Sequence, residues 1–188
     1  MVTTNNSDVT IENMRVVFGA RPLDINGGSR VTLKSNTLRW GSEKCIGVNS
    51  RAGHPGPHPG TQGMTITGNR LLDCACGLYT VNQMGDPIDN SLNSNDLVVS
   101  YNNFSSIDPF NYYGSKDTHA IGIQGGSRSV YEHNIIDGAG GSGITFYQGP
   151  GQEMKDNVAR YNIIKNVRDY QGKKNQRGIE FCDEAGNR

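Results

Sequence analysis

Lys116, Asp117 and His119 stand within four residues of one another, immediately before the run Ala120-Ile121-Gly122-Ile123-Gln124. An imidazole titrates near neutrality, so His119 beside a carboxylate and an ammonium is the first candidate for proton transfer or for hydrogen bonding to a ligand. Glu180 alternates with Ile179 and Phe181, and Asp24 with Leu23 and Ile25. In a strand with one buried face, that alternation sends both carboxylates outward. Tyr112, Tyr113 and Tyr147 offer flat apolar faces of the kind that stack on a pyranose ring. Asn49, Asn82, Gln124 and Tyr147 stand in or just after similar short apolar runs. With Tyr113 and Arg177 they make up the candidate substrate-binding set.

Other residues carry less chemistry. His54 and His58 have a spacing of four, but Pro55, Pro57 and Pro59 exclude the helix that would aim both at one metal ion. No metal site is assigned. The segment Gly138-Ala139-Gly140-Gly141-Ser142-Gly143 reads as a tight turn, because it lacks a phosphate-loop pattern and a following helix. Cys74-Ala75-Cys76 does not have zinc-site spacing. The cysteines read as small buried hydrophobes, with a disulfide from Cys45 to Cys74 or Cys76 open because the repeat puts them in adjacent coils.

The elements that position these residues come from a repeat. Met64-Thr65-Ile66-Thr67-Gly68-Asn69-Arg70-Leu71-Leu72 recurs with changes along the chain, and its asparagine returns at 36, 69, 102, 134 and 162. The spacings of 33, 33, 32 and 28 residues are those of a solenoid. Met14 takes the corresponding place in the first copy. A second phrase follows each first one: Leu23-Asp24-Ile25, Ile46-Gly47-Val48, Leu78-Tyr79-Thr80-Val81, Ile121-Gly122-Ile123, Ile144-Thr145-Phe146 and Ile179-Glu180-Phe181. The chain therefore divides into six coils, near 7–28, 29–62, 63–94, 95–126, 127–154 and 155–188. Each holds three short strands, giving three parallel sheets in a column ~29 Å long at ~4.8 Å per coil. The asparagines are expected at the bend, in left-handed backbone geometry, hydrogen-bonded from coil to coil as an asparagine ladder. No segment has a capped amphipathic helix pattern.

Whole-chain properties narrow the classes of partner. Lys+Arg and Asp+Glu are both 18, and no basic stripe exists, so nucleic acid is not an expected partner. No apolar run approaches the ~18 residues of a membrane span. The N-terminus lacks the regions of a signal peptide. The longer insertions, 51–60, 84–90, 108–117 and 168–176, all border the third strands, which makes that sheet the expected binding face.

The V-T-I-x-x-N-x-L and G-I-x-V phrases resemble those of the right-handed parallel β-helix superfamily, which includes pectate lyases and polygalacturonases. The resemblance covers nearly all of residues 1–188. It implies an all-β, right-handed, single-stranded parallel β-helix in one domain, a secreted or cell-surface setting, and an acidic polysaccharide or oligosaccharide as partner. Thr118-His119-Ala120-Ile121-Gly122-Ile123 resembles the polygalacturonase G-H-G turn, with His119 in the histidine position. Asp73-Cys74-Ala75-Cys76 stands one coil earlier, where that family carries two aspartates, and Ser42-Glu43-Lys44-Cys45 stands where it has N-T-D. The pectate lyase pattern implies Ca²⁺ on clustered carboxylates, for which Asp86, Asp89, Asp108 and Asp117 are the candidates, and a basic residue such as Lys116, Arg177 or Lys44 to take a proton. The resulting catalytic set is His119, Asp117, Lys116, Asp73 and Glu180. Cleavage by lyase or hydrolase chemistry is one expectation; a non-catalytic carbohydrate-binding or structural module is the other. The chain shows no end cap, so it is expected either to be a fragment of a larger protein or to self-associate through an uncapped end.

Overall fold

The computed structural model describes residues 7–48, 60–80, 93–109, 118–149, 152–168 and 177–182, and among these the chain is all-β. The first coil holds β1 (Thr10–Glu12), β2 (Arg15–Gly19) and β3 (Leu23–Ile25). The second holds β4 (Thr32–Lys34), β5 (Thr37–Gly41) and β6 (Lys44–Val48). The third holds β7 (Thr65–Thr67), β8 (Arg70–Leu72) and β9 (Cys76–Thr80). The fourth holds β10 (Val98–Ser100), β11 (Asn103–Ile107) and β12 (His119–Gln124). The fifth holds β13 (Val130–Glu132), β14 (Ile135–Ala139) and β15 (Ser142–Tyr147). The sixth holds β16 (Val158–Arg160), β17 (Ile163–Lys165) and β18 (Arg177–Cys182). Strands in the same place of successive coils pair in parallel and form three six-stranded sheets. This is a parallel β-solenoid of six coils.

Register builds the core as columns. Ile11, Leu33, Ile66, Val99, Tyr131 and Ala159 share one row of the first sheet. Val16, Leu38, Leu71, Phe104, Ile136 and Ile164 share one row of the second. The third sheet contributes Leu23, Ile46, Leu78, Ile121, Ile144 and Ile179. Each apolar residue packs above and below on others of its kind, so a short strand buries its inner face only because neighbouring coils exist.

The corners correct one expectation. The ladder asparagines are not the left-handed residues; the residue before each of them is. Positive φ falls at Asn13, Ser35, Gly68, Tyr101, His133 and Tyr161. A second column of positive φ runs Asp8, Arg30, Gly63, Asp96, Arg128 and Asp156, and a third runs Phe18, Trp40, Asp73, Ser106, Gly138 and Asn166. Within every coil the three corners are five residues apart. The left-handed residue reverses the chain direction and points its side chain out to solvent. The asparagine that follows turns its side chain inward, where it must hydrogen-bond.

It does so coil by coil. Oδ1 of Asn69 accepts from the backbone N–H of Asn36 at 2.9 Å and from its Nδ2 at 3.0 Å. Asn102 serves Asn69 in the same way, Asn134 serves Asn102, and Asn162 serves Asn134. The second Nδ2 proton goes to a carbonyl of the preceding coil: Ile11 for Asn36, Leu33 for Asn69, Ile66 for Asn102, Val99 for Asn134 and Tyr131 for Asn162. The row thus meets the rule that buried polar groups be paired. Met14 has no side-chain amide and only donates its N–H to Asn36 Oδ1, at 3.0 Å.

Outside the corners, charge pairs link coils at Arg30–Asp8, Arg128–Asp96 and Arg160–Glu132, all exposed and individually weak. Cys45 and Cys74, both fully buried, form a disulfide with Cα atoms 5.6 Å apart. It closes one of the two pairings the sequence leaves open. Cys76 and Cys182 take no part in this disulfide.

Replacing Asn102 by Ala removes the acceptor for two donors of Asn69 and strands the Ile66 carbonyl. Urea unfolding is expected to show a loss of about 3 kcal/mol or more, since each buried unsatisfied group costs ~1–3 kcal/mol. Met14→Asn extends the row by one amide and is expected to gain about 0.5–1 kcal/mol. Equal, small effects at both positions would mean the row does not carry stability.

Candidate functional site

The outer face of the third sheet, β3–β6–β9–β12–β15–β18, collects the polar residues of the third strands. One row of its register reads Asp24, Gly47, Tyr79, Gly122, Thr145 and Glu180. Another pairs Lys44 with Cys76, and His119 with Ser142 and Arg177. After their first residues, Lys44 and His119, strands β6 and β12 carry two successive core residues, Cys45-Ile46 and Ala120-Ile121. That doubled inward step departs from strict alternation. It lets residues three apart, such as His119 and Gly122, work on one face.

Contacts run along this face from coil to coil. Arg21 Nε donates to Glu43 at 2.6 Å, and its guanidinium lies 3.6 Å from Asp24. Asn26, buried beside Asp24, donates Nδ2 to its carboxylate at 3.4 Å. The Lys44 ammonium sits 4.6 Å from the centre of the Tyr79 ring. The Tyr79 ring lies parallel to His119, with centres 6.3 Å apart. Gly122 makes this possible, because a β-carbon there would stand 2.3 Å from Tyr79 Cδ2. His119 Nδ1 shares a hydrogen bond of 2.9 Å with Thr145 Oγ1. Ser142 donates to Glu180 at 2.6 Å, and Arg177 pairs with the other oxygen of the same carboxylate. His119 and Glu180, each 8% exposed, are recessed rather than solvated.

Lys44 is the group whose titration this setting changes. Burial lowers its pKa from the usual lysine value, and the Arg21 guanidinium lowers it further. The Cys76 sulfur and the Glu43 and Asp24 carboxylates pull the other way without reversing the shift. The ammonium is therefore easier to deprotonate than an exposed lysine.

The expected site residues separate into groups. His119, Glu180, Arg177, Gln124 and Tyr147 do share the third-sheet face, with Gln124 and Tyr147 adjacent in register. Glu180, expected as an outward carboxylate, keeps that direction but is buried and bonded. Asp73 is elsewhere: it is a left-handed corner residue between the second and third sheets, bonded to Arg39 at 2.6 Å. Asn49, Asn82, Tyr113, Lys116 and Asp117 lie outside the described residues. Arg21, Tyr79, Ser142 and Thr145 joined the face without having been singled out for it. Only the register of neighbouring coils reveals them.

Two chemical schemes can be tested on distance and ligand count. Asp24 and Glu180 lie on the first and sixth coils, five steps of ~4.8 Å apart, far beyond the ~6.5–9.5 Å between the carboxyls of an inverting glycosidase. For calcium, Asp86, Asp89 and Asp117 lie outside the described residues, while Asp108 is fully buried behind the third corner and donates its N–H to the Cys74 carbonyl. Among the described residues no three His, Cys, Asp or Glu side chains are grouped to hold a metal ion.

No family model, curated protein or solved structure matches the chain. The geometry of the face therefore carries the functional reading.

Gly122→Ala is expected to push the Tyr79 ring off its place beside His119. The His119 ring protons should shift in the NMR spectrum as the ring current is lost, and stability should fall by about 1–3 kcal/mol. An unchanged His119 resonance would contradict the stacked arrangement.

Proposed function

We propose that the third-sheet face binds an acidic polysaccharide and that Lys44 is the base of a lyase-type cleavage. The observation that carries this reading is a half-buried lysine on the polar face of a parallel β-solenoid, its ammonium 4.6 Å from the centre of the Tyr79 ring, where burial lowers its pKa. In such a cleavage the neutral amine takes the proton next to a uronate carboxylate. The electron pair left behind forms a carbon–carbon double bond, and the bond to the glycosidic oxygen breaks. That oxygen takes a proton from solvent water. His119, two coils from Lys44 and so about 10 Å further along the axis, would hydrogen-bond the neighbouring sugar. Arg21 and Arg177 stand at either end of the face, each paired with carboxylates that an acidic polymer would have to displace, and Tyr79 and Tyr147 offer ring surface to sugars.

The resemblance to parallel β-helix enzymes supports a carbohydrate ligand, but fold similarity alone does not define chemistry. The Cys45–Cys74 disulfide suits a secreted or cell-surface protein. One observation favours the second reading, a non-catalytic binding module. Glu180 is held from both sides by Ser142 and Arg177, as in a surface built to present shape rather than to exchange protons.

A panel of polyuronates, followed by ultraviolet absorbance of unsaturated ends and by reducing sugars, tests the proposal. Cleavage should generate both signals. Lys44→Met should lose about 100-fold or more in kcat, the size of a general-base contribution. Because the base must be neutral, the rate should rise with pH along a limb whose midpoint lies below 10.5, the ordinary value for lysine. Reducing sugar without absorbance would replace elimination with hydrolysis. Binding without either product would select the non-catalytic module, and neither binding nor product would remove the carbohydrate reading.

A further inference from the structure

We infer that a notch over Gly68, across the column from the third-sheet face, is a second binding site that takes one anionic sugar ring. The corner between the first and second sheets carries Asn13, Ser35, Gly68, Tyr101, His133 and Tyr161 in successive coils, all with left-handed backbone. In the last three of these coils the side chains form a stack. Tyr101 and His133 have ring centres 4.9 Å apart and planes within 1°, and Tyr161 follows His133 at 5.0 Å. That pitch is close to the ~4.8 Å spacing of coils, so the rings stack along the axis. The face of Tyr101 turned away from His133 therefore looks toward the third coil. The residue in that place is Gly68, which has no side chain to cover it.

The space over Gly68 is open. A β-carbon built there would have only Ser35 within 4 Å, its Oγ at 3.8 Å, and no atom of Tyr101. Tyr101 is 62% exposed. A six-membered ring in the notch would continue the stack at the same pitch, with Tyr101 against one face and Ser35 beyond the other. The apolar side of a pyranose suits such an aromatic face. Thr67 adds a hydroxyl at the edge. Its Oγ1 accepts from Ser100 at 3.1 Å, which leaves its own proton to donate to a sugar oxygen.

Charge selects the kind of sugar. Lys34 ends β4 just before Ser35, and Arg70 opens β8 two residues after Gly68, both exposed. Arg21, Arg30, Arg39, Arg128, Arg160 and Arg177 each hold a carboxylate. Among the described residues, Arg70, Lys34 and Arg15, which shares the Arg70 row, hold none. Glu12 stands next to Lys34 in register, so the patch keeps an excess of positive charge. A carboxylate or sulfate on the ring would meet the Arg70 fork with no ion pair to break first. The site goes beyond the lyase reading, because it holds a sugar acid without acting on it.

Carbon–proton NMR of the tyrosine rings, with Tyr101 assigned through Tyr101→Asn, tests the inference on the full chain. Galacturonate and galactose 6-sulfate should each shift the Tyr101 signals, and the tighter of the two identifies the charged group. Galactose should bind about ten-fold more weakly, the worth of one charged hydrogen bond. Arg70→Gln should weaken the acids by about the same factor. Gly68→Asn, which tolerates the left-handed turn and fills the notch, should remove the shift while circular dichroism stays unchanged. Lys44→Met should leave the shift as it is, so failure of the lyase reading would not touch this result. No shift of Tyr101 with either acid, equal affinity for galactose and galacturonate, or a shift that survives both Arg70→Gln and Gly68→Asn would overturn the inference. So would tighter binding of adenosine monophosphate, which would make the notch a nucleotide site.

Discussion

Everything in this molecule depends on keeping successive coils one strand spacing apart. A strand of three to six residues cannot fold alone, and its backbone groups are satisfied only by the coils above and below. The asparagine row enforces this at the least forgiving place, a bend inside the core. Each side chain there links the N–H, the amide and a carbonyl of the neighbouring coil. If the row loses its spacing, the corners and the hydrophobic columns lose it too.

The candidate site inherits that constraint. No single coil contains it. Lys44 comes from the second coil, Tyr79 from the third, His119 from the fourth, Ser142 and Thr145 from the fifth and Glu180 from the sixth. Their mutual positions are set by parallel register rather than by loop conformation. Gly122 shows how closely the register is used, since the absence of one methyl group lets Tyr79 lie against the next coil. A face assembled in this way keeps its residues in one register along the axis.

The architecture was legible because its signals repeat. Asparagine at near-constant spacing and apolar alternation in the third strands mark coils, sheets and the outward face. The left-handed corners were not legible. Phe18, Trp40, Tyr101, Tyr161 and Arg30 are poor turn residues, and strain of ~1 kcal/mol or more at each would argue against them. The structure shows the compensation: Phe18 stacks on Trp40 at 4.4 Å, and His133 stacks between Tyr101 and Tyr161 at 4.9 and 5.0 Å. Such partners lie a whole coil away in sequence. The same limit hid Arg21 and Thr145 from the site, and it left Asp73 looking like a member of the site when it is a corner residue held by Arg39.

The spacing of the corners has a consequence for how the chain can change. The three left-handed positions are five residues apart in all six coils, so an insertion or deletion between them would throw side chains onto the wrong face. From the third corner to the next first corner the chain runs 18 to 30, 40 to 63, 73 to 96, 106 to 128 and 138 to 156. Length varies freely there and nowhere else. That interval contains the third strands and the segments around them. The outer segments can therefore change in length by drift while the mechanical frame stays constant, and a stranger's loop grafted into that interval should find the same column beneath it.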